Sequence, residues 1–396
     1  TIFDGYDLSE EDARVVAVVV DGASVDALEA GQSGRVVLDR TPFYAEKGGQ
    51  VGDTGVLEKA DGAATVTDTK EPEKGLIAHA VTVENGRIAV GDTVHAAIDV
   101  ARRERIRRNH TATHILHWAL RQVLGDHVKQ AGSFVAPNRL RFDFTHYEAV
   151  TPGQLAEVER LANQKVMENH PVTATEKPLA QAREEGVIAL FGEKYGDVVR
   201  VLDTGGFSRE LCGGTHVSAT SEIGLVKIVG ESSVGANLRR IEAVTSFDAL
   251  EYLNRVEAQL KDVASQLRVQ PFDAAERTAA NLKQLKELQA ANKRIREGAA
   301  ADDTARLLDQ VVQAKGGYPL LIARLENVEG GKLRNMWDVV RSRLSAPGAV
   351  VFAVNNDGKP LIMAAGTDEA VAAGFDASAI IKAVSPFIQG GGGGTP

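Results

Sequence analysis

Cysteine is nearly absent: Cys212 stands alone in 396 residues. A single cysteine excludes an internal disulfide and fits a reducing compartment. Long apolar runs are missing too. None approaches the roughly 18 residues of a transmembrane helix, so no membrane partner is expected. The opening "TIFDGYDLSEEDA" is acidic and polar, unlike a secretory signal. There is no initiator Met, and the chain stops on "GGGGGTP". The expectation is a piece cut from a longer protein. No GxxxxGK[ST] run occurs, which excludes a P-loop phosphate cradle. Positive charge is also short: the net charge of −9 argues weakly against nucleic acid. Local distribution matters more than the sum. "ARRERIRRN" (101–109) carries five arginines and one glutamate and runs straight into His110. It reads either as a strip where a phosphate backbone lies or as a solvated helix face.

What is present fits an α+β protein of two to four domains. "RVVAVVVDG", "GRVVLDRTPFY", "DTGVLE", "AATVTDT", "GLIAHAVTVENG" and "DTVHAAIDV" are β-rich runs between turn signals. Six such strands in residues 1–100 predict a small barrel or sandwich. From Arg102 the spacing becomes helical, with Ile106, Ile115, Leu116, Ala119, Leu120 and Val123 on one face and Gly125 as the stop. The strand "LRFDFTH" follows, and Thr151–Pro152 opens the next helix. "PVTATEK", "GDVVRVLDT", "IGLVKIVG" and "LRRIEAVT" read as strands of an α/β unit over 101–246. Over 247–300, leucines and valines recur at threes and fours on either side of Pro271, predicting a helical hairpin. Residues 301–396 read as α/β: a helix over 304–314, the strand "YPLLIARL", the helix "KLRNMWDVVRSRL", the strands "GAVVFAVNN" and "KPLIMAAG", then a helix from 377. The final "QGGGGGTP" is either a linker or a backbone-donor loop for phosphate.

The chemistry concentrates in two short stretches. In "NHTATH", His110 and His114 stand four apart on one helix face. Such a pair alone is as consistent with surface or core histidines as with a metal. Thr111 follows the first histidine where a zincin protease carries its glutamate, so peptide hydrolysis by that route is excluded. "LCGGTH" adds Cys212 and His216 at the same spacing, with two glycines to let the chain turn. Together they form a Cys-His₃ set suited to Zn²⁺. Four protein ligands normally close a structural site. Two readings therefore stand: the ion only shapes a pocket, or His216 yields to water or substrate. "TPFYAEKGGQVGDTG" (41–55) is a glycine-rich loop with Thr41 and Gln50 as polar handles. By itself it is a hairpin turn, and Gln130 in "VKQAGSF" is an ordinary polar residue.

Taken together, "FYAEKGGQVGDTG", "NHTATHILHWALRQVLGDHVKQAGS" and "SRELCGGTHV…IVGESSVGANLRRIEAVT" resemble the editing domain of the alanyl-tRNA synthetase family. The helical region and the α/β end with its polyglycine are similar to that family's C-terminal domain. The resemblance covers essentially the whole chain. It implies a β-barrel part (1–100), a zinc-containing editing core (101–246), a hairpin linker (247–300) and a tRNA-binding or oligomerisation domain (301–396). The ATP-binding class II aminoacylation core would precede Thr1. The implied activity is hydrolysis of the ester in tRNA(Ala) mischarged with serine or glycine, in the cytoplasm. By motif position, His110, His114, Cys212 and His216 match the zinc ligands. Thr41 matches a threonine that reads the serine hydroxyl, and Gln130 a glutamine lining the pocket. Gly48, Gly49 and Gln50 match the loop near the tRNA end. The family usually has serine where Lys47 stands. A homodimer through the C-terminal region is a further implied partner. Three other readings remain: a free-standing trans-editing deacylase, a non-catalytic zinc-stabilised RNA-binding module, and a DHH-type phosphoesterase. The last lacks its Asp-His-His triplet here.

Overall fold

The computed structural model describes residues 1–189, 195–326, 328, 330–344, 346–356 and 359–388. The closing glycine run, Gln389–Pro396, lies outside them. The chain divides into two compact units, Thr1–Gln259 and Leu260–Pro396. The architecture is α+β.

The first unit begins with a closed barrel. Its strands are Glu10–Val20, Ser33–Leu38, Leu76–Ala89, Gly62–Glu73, Gly55–Lys59 and Thr93–Ile98, each antiparallel to the next. Thr93–Ile98 then pairs back onto Glu10–Val20 and closes the cylinder. Alternation along the strands turns Val15, Val18, Leu38, Leu57, Val66, Val81 and Val94 inward as one core. The six predicted strands all appear. The "ENG" turn does not: Leu76–Ala89 runs straight through Asn85 and Gly86. Gly86 takes φ +62° beside the Gly62 backbone, where a Cβ would overlap Asp61, so the glycine serves a close strand pairing rather than a reversal.

Helix α1 (Val100–Leu124) leaves the barrel at once. Asp99 caps it by accepting the Arg102 N–H, and Gly125 at φ 111° ends it. Helix α2 (Pro152–Met167) starts on Thr151 with a full capping box to Gln154. Both helices cover one face of an antiparallel sheet ordered Gln130–Ala136, Arg139–Thr145, Leu238–Thr245, Val226–Gly235. Ile115, Leu116, Leu120, Phe142, Phe144, Val158 and Ile241 form the shared core. A three-stranded sheet, Val172–Pro178, Val198–Thr204 and Ser208–Leu211, carries the cysteine loop at its end, with the short α3 (Leu179–Glu184) beside it.

Two of the described junctions between the barrel and this core bear on the site. The glycine-rich loop lies along Gln130–Ala136: Val135 N–H donates to Gly49 O at 2.7 Å and Val51 N–H to Val135 O at 3.1 Å. A Cβ on Gly49 would overlap the Ser133 carbonyl, which is why a glycine stands there. The second junction is Arg103, 2% exposed. It ion-pairs with the equally buried Asp53 and donates to the carbonyls of Gly5 and Pro42.

Helix α4 (Ser246–Leu267) and α5 (Ala274–Leu308) flank a break at Pro271. The predicted apolar positions exist on both helices, but Leu250, Leu253, Val256, Leu282, Leu285, Leu288 and Ile295 all remain exposed. The helix expected over 304–314 is corrected: α5 continues unbroken to Leu308, and Val311–Gln313 is a strand. Only Asp309 and Gln310 separate them. The second unit's sheet runs Val311–Gln313, Pro319–Glu326, Ala349–Asn356, Lys359–Gly366. The middle pair is parallel and is linked by α6 (Gly330–Arg343), a βαβ crossover. The helices α7 (Asp368–Ala372) and α8 (Ala377–Ile388) follow. Among the described residues no helix is long and apolar enough to cross a membrane.

Candidate metal centre

His110 and His114 face the same way from α1 and meet Cys212 and His216 of the loop after Ser208–Leu211. One ligand-capable atom from each of the four lies within 4.8 Å of the others. The Cys212 Sγ is 3.5 Å from His110 Nε2 and 3.3 Å from His216 Nε2. An ion bonded at about 2.3 Å to sulfur and about 2.0 Å to nitrogen, at tetrahedral angles, keeps those atoms about 3.5 Å apart. The two sulfur–nitrogen distances therefore suit a tetrahedral cation.

Each imidazole is oriented by a different partner behind it. His110 Nδ1–H donates to Gln50 Oε1 at 2.7 Å. His216 Nδ1 is 3.1 Å from the Thr111 hydroxyl, whose own hydrogen goes to Arg107 O at 3.0 Å, so the histidine is the donor. His114 Nδ1 lies 3.0 Å from the carboxylate of Glu210. His110 and His216 thus carry hydrogen on Nδ1, and all three rings turn Nε2 toward the cluster. This is how ligating histidines are usually held. The His114 Nε2 is buried with no hydrogen-bond partner among the described residues, which is what a ligand atom requires.

The cysteine loop is fastened carbonyl by carbonyl. Arg200 donates to Cys212 O and Gly214 O at 3.0 and 2.9 Å. Tyr6 donates to Gly213 O at 2.5 Å, and the Arg200 guanidinium lies 4.1 Å from the Tyr6 ring centre. Gln50 accepts the Thr215 N–H and donates to the Thr215 hydroxyl, each at 2.9 Å. A Cβ on Gly214 would overlap the His110 ring. That glycine is required because the loop backbone passes directly over the imidazole.

The electrostatics favour the ligand forms of two groups. Burial pushes His216 down to about 3, helped by His110, so it is neutral. Burial would raise the Cys212 thiol, but the imidazoles around it, His110 first, outweigh it and hold the thiol well below its usual range. A thiolate is the form that binds metal. Burial also opposes charge on His114, yet Glu210 and Cys212 together raise it to about 10. A proton and a cation are alternatives at that ring, so binding there releases a proton. Glu210 is held ionised: burial opposes this, and His114 and His117 overcome it.

The other candidate residues are distributed unevenly. Gln50 belongs to the cluster's support, with both side-chain atoms engaged. Gly48 and Gly49 take φ +59° and +86° and shape the turn that delivers it. Thr41 is buried inside the barrel, where its hydroxyl pairs with His79 Nε2 at 2.8 Å and accepts the Phe43 N–H at 3.1 Å. Gln130 is half-buried at a bulge opposite Phe144, and no described hydrogen bond takes its side chain to the cluster. Lys47 turns outward to Glu71 at 3.0 Å, leaving the turn Lys47–Gln50 intact. Each arginine of the strip has a partner within the protein. Arg102 donates to Gly52 O, Arg103 is buried, Arg105 pairs with Asp248, Arg107 with Glu104, and Arg108 donates to Glu222 O.

Sequence reasoning missed Glu210, His117, Arg200 and Tyr6. Two of these carried a signal. Glu210 stands two residues before Cys212, in the strand that leads into the cysteine loop, and His117 continues the His110–His114 face by one more turn. Arg200 and Tyr6 act on loop carbonyls from distant segments, which no local pattern reports.

Three family models match this chain. "tRNA synthetases class II (A)" covers residues 1–102, "Threonyl and Alanyl tRNA synthetase second additional domain" residues 199–242, and "DHHA1 domain" residues 317–396. The second match holds Cys212 and His216. The chain is 43% identical over 396 residues to the alanine–tRNA ligase of Pelotomaculum thermopropionicum. It is alanine–tRNA ligase-like along its whole length. The alanine–tRNA ligases of Geobacillus kaustophilus, 43% identical over 394 residues, and Roseiflexus castenholzii, 44% identical over 418, match all of the chain as well. The ligase-like chain spans 44–46% of the length of these relatives.

Proposed function

We propose that the first unit is an aminoacyl-ester hydrolase that clears serine and glycine from tRNA(Ala), and that the C-terminal region (301–396) binds tRNA. The observation that carries this reading is the convergence of three imidazoles and one cysteine, the latter with His216 inside a segment similar to a threonyl and alanyl tRNA synthetase domain. Zinc is the ion its donor set suits best, held by His110, His114, Cys212 and His216. When bound it supplies a positive centre for orienting or polarising the ester.

The chain's own residues do the rest. Cys212 and His216 are the less buried members, so the ester approaches from their side. The fastened carbonyls of Cys212, Gly213 and Gly214 and the support of Gln50 keep that side rigid, which holds the substrate carbonyl in one pose. Water oxygen bonds to the acyl carbon, the bond from that carbon to the ribose oxygen breaks, and the ribose oxygen leaves with a proton. Selection needs a second site because a pocket for alanine discriminates only about a hundredfold against one extra hydroxyl. A site that pairs with the hydroxyl penalises its absence. Thr41 is proposed as the reader and Gln130 as a lining residue, both on the resemblance of their motifs.

The domain limits proposed from sequence, 1–100, 101–246, 247–300 and 301–396, belong to this reading, as does work in the cytoplasm alongside an aminoacylation core. The exposed leucines of α5 support association with a second copy. A second reading, a zinc-stabilised tRNA-binding module without catalysis, is favoured by the four-protein-ligand set. Single-turnover deacylation of Ser-tRNA(Ala), with zinc content measured in the same samples, separates the two. The chain is expected to hydrolyse the ester and Cys212→Ala to lose both zinc and activity. Equal rates from the two proteins would sink the site assignment.

A further inference from the structure

His114 and His117 stand one turn apart on α1, and one buried carboxylate lies against both. Glu210 is 2% exposed. Its Oε1 accepts from His117 Nδ1 at 3.0 Å, with the Ser208 hydroxyl adding a donor at 3.3 Å. Its Oε2 is 3.0 Å from His114 Nδ1, a charge contact off the axis of a hydrogen bond. His117 Nδ1 hydrogen-bonds the carboxylate, and His114 turns its Nδ1 edge to it. For His114 this commits Nε2 to the cluster. His117 is different: its Nε2 is buried with no hydrogen-bond partner among the described residues. Its working contact is therefore with Glu210. A carboxylate between two imidazoles is fixed in one rotamer, and it passes that fixity to the ring that faces the cluster. Glu210 lies in the strand Ser208–Leu211 and Cys212 in the loop that follows it, so one short segment supplies a ligand and the support of another.

Resting on the metal reading above, we propose that Glu210 and His117 are positioning residues for the ion. Glu210 sets the tautomer and orientation of His114, and His117 holds Glu210 in place. The competing view makes Glu210 only an anion that pins α1 to the strand Ser208–Leu211. The two views part on metal affinity, because pinning moves stability alone.

The test uses the 396-residue chain and four proteins: wild type, Glu210→Gln, His117→Asn and His117→Leu. Zinc affinity is measured against a chromophoric chelator, and the visible spectrum of the Co²⁺ form reports ligand geometry. Glu210→Gln keeps the shape but sets an amide N–H against one ring, and a loss of about 10–100-fold in affinity is expected. His117→Asn keeps a donor near the Nδ1 position and is expected to bind as wild type. His117→Leu removes the donor and is expected to bind about tenfold more weakly. The Co²⁺ spectrum should shift in Glu210→Gln and His117→Leu but not in His117→Asn. Wild-type affinity and spectrum in Glu210→Gln would overturn the proposal, whatever its melting temperature. If that variant does not fold, the His117 pair decides: equal affinities for Asn and Leu overturn it. A wild-type chain that takes up no zinc overturns the metal reading itself, a different outcome from wild-type zinc held equally well by all variants.

Discussion

Acid should loosen the barrel through one residue, His79. Its Nδ1 lies 2.9 Å from the Val36 carbonyl and so carries the ring hydrogen. Nε2 is then an acceptor, and the Thr41 hydroxyl donates to it at 2.8 Å. Burial pushes the imidazole from 6.5 to about 4, and the Val36 carbonyl offsets only part of this. The folded value is below the unfolded one, so the unfolded chain takes up the proton first as pH falls. The stability held above pH 6.5 is therefore lost between about 6.5 and 4. At about 1.4 kcal/mol per unit, the full loss is roughly 3 kcal/mol, of which roughly 2 kcal/mol is gone by pH 5. His79→Gln cannot titrate, yet its amide can still donate to Val36 and accept from Thr41. Hydrogen exchange of the barrel amides of Val36, Val81 and Val94, at pH 7 and pH 5, reads the opening free energy locally. Subtracting the variant's pH response from the wild type's removes every other titrating group. A difference of about 2 kcal/mol is expected. The same acid response in both proteins would refute the assignment of a neutral, buried His79. Thr41→Val extends the argument. It strands the His79 acceptor and should cost about 1–3 kcal/mol in the same measurement. If it does so while Ser-over-Ala selectivity in deacylation stays unchanged, the hydroxyl serves the barrel and not the substrate.

Two further outcomes follow from the packing. Gly214→Ala places a Cβ against the His110 ring. Chelator competition should show at least about a tenfold loss of zinc affinity, and an unchanged constant would mean that the loop does not pass over that imidazole. Asp53→Asn leaves the buried Arg103 with carbonyl acceptors but no counter-charge. A loss of about 3–5 kcal/mol is expected from the urea midpoint of the first unit, and a midpoint at the wild-type value would remove this pair as a junction between barrel and core.

The fold was largely legible because its signals are local. Thr151 with Pro152 and Gln154 spells a helix start, and the structure forms the full capping box there. The apolar stripe of α1 ended at Gly125 as its spacing required. The failures were also local. Asn85–Gly86 has the composition of a turn, but a tight pairing with Gly62 claims that glycine for a strand. The break expected before residue 304 had no proline to make it, and α5 ran on. In the candidate site, the two four-residue spacings exposed the ligand-capable set, because helix and loop each repeat a simple geometry. Its support was harder to see. Gln50 and Thr215 are 165 residues apart, and the arginines of 101–109 could be assigned partners only once the barrel, α4 and the loop at Glu222 had been placed around them.

That separation has a consequence for folding. His110 and Cys212 are 102 positions apart in the chain, and the Gln50 support is 60 positions from His110. Closing loops of this length is slow, and nothing local rewards it early. The cluster can assemble only after barrel, helix and three-stranded sheet have found one another. An ion would then act as a latch on the finished unit rather than as a nucleus for it. During refolding, uptake of a metal reporter should trail the recovery of helix signal, so that the cation records completion of the fold.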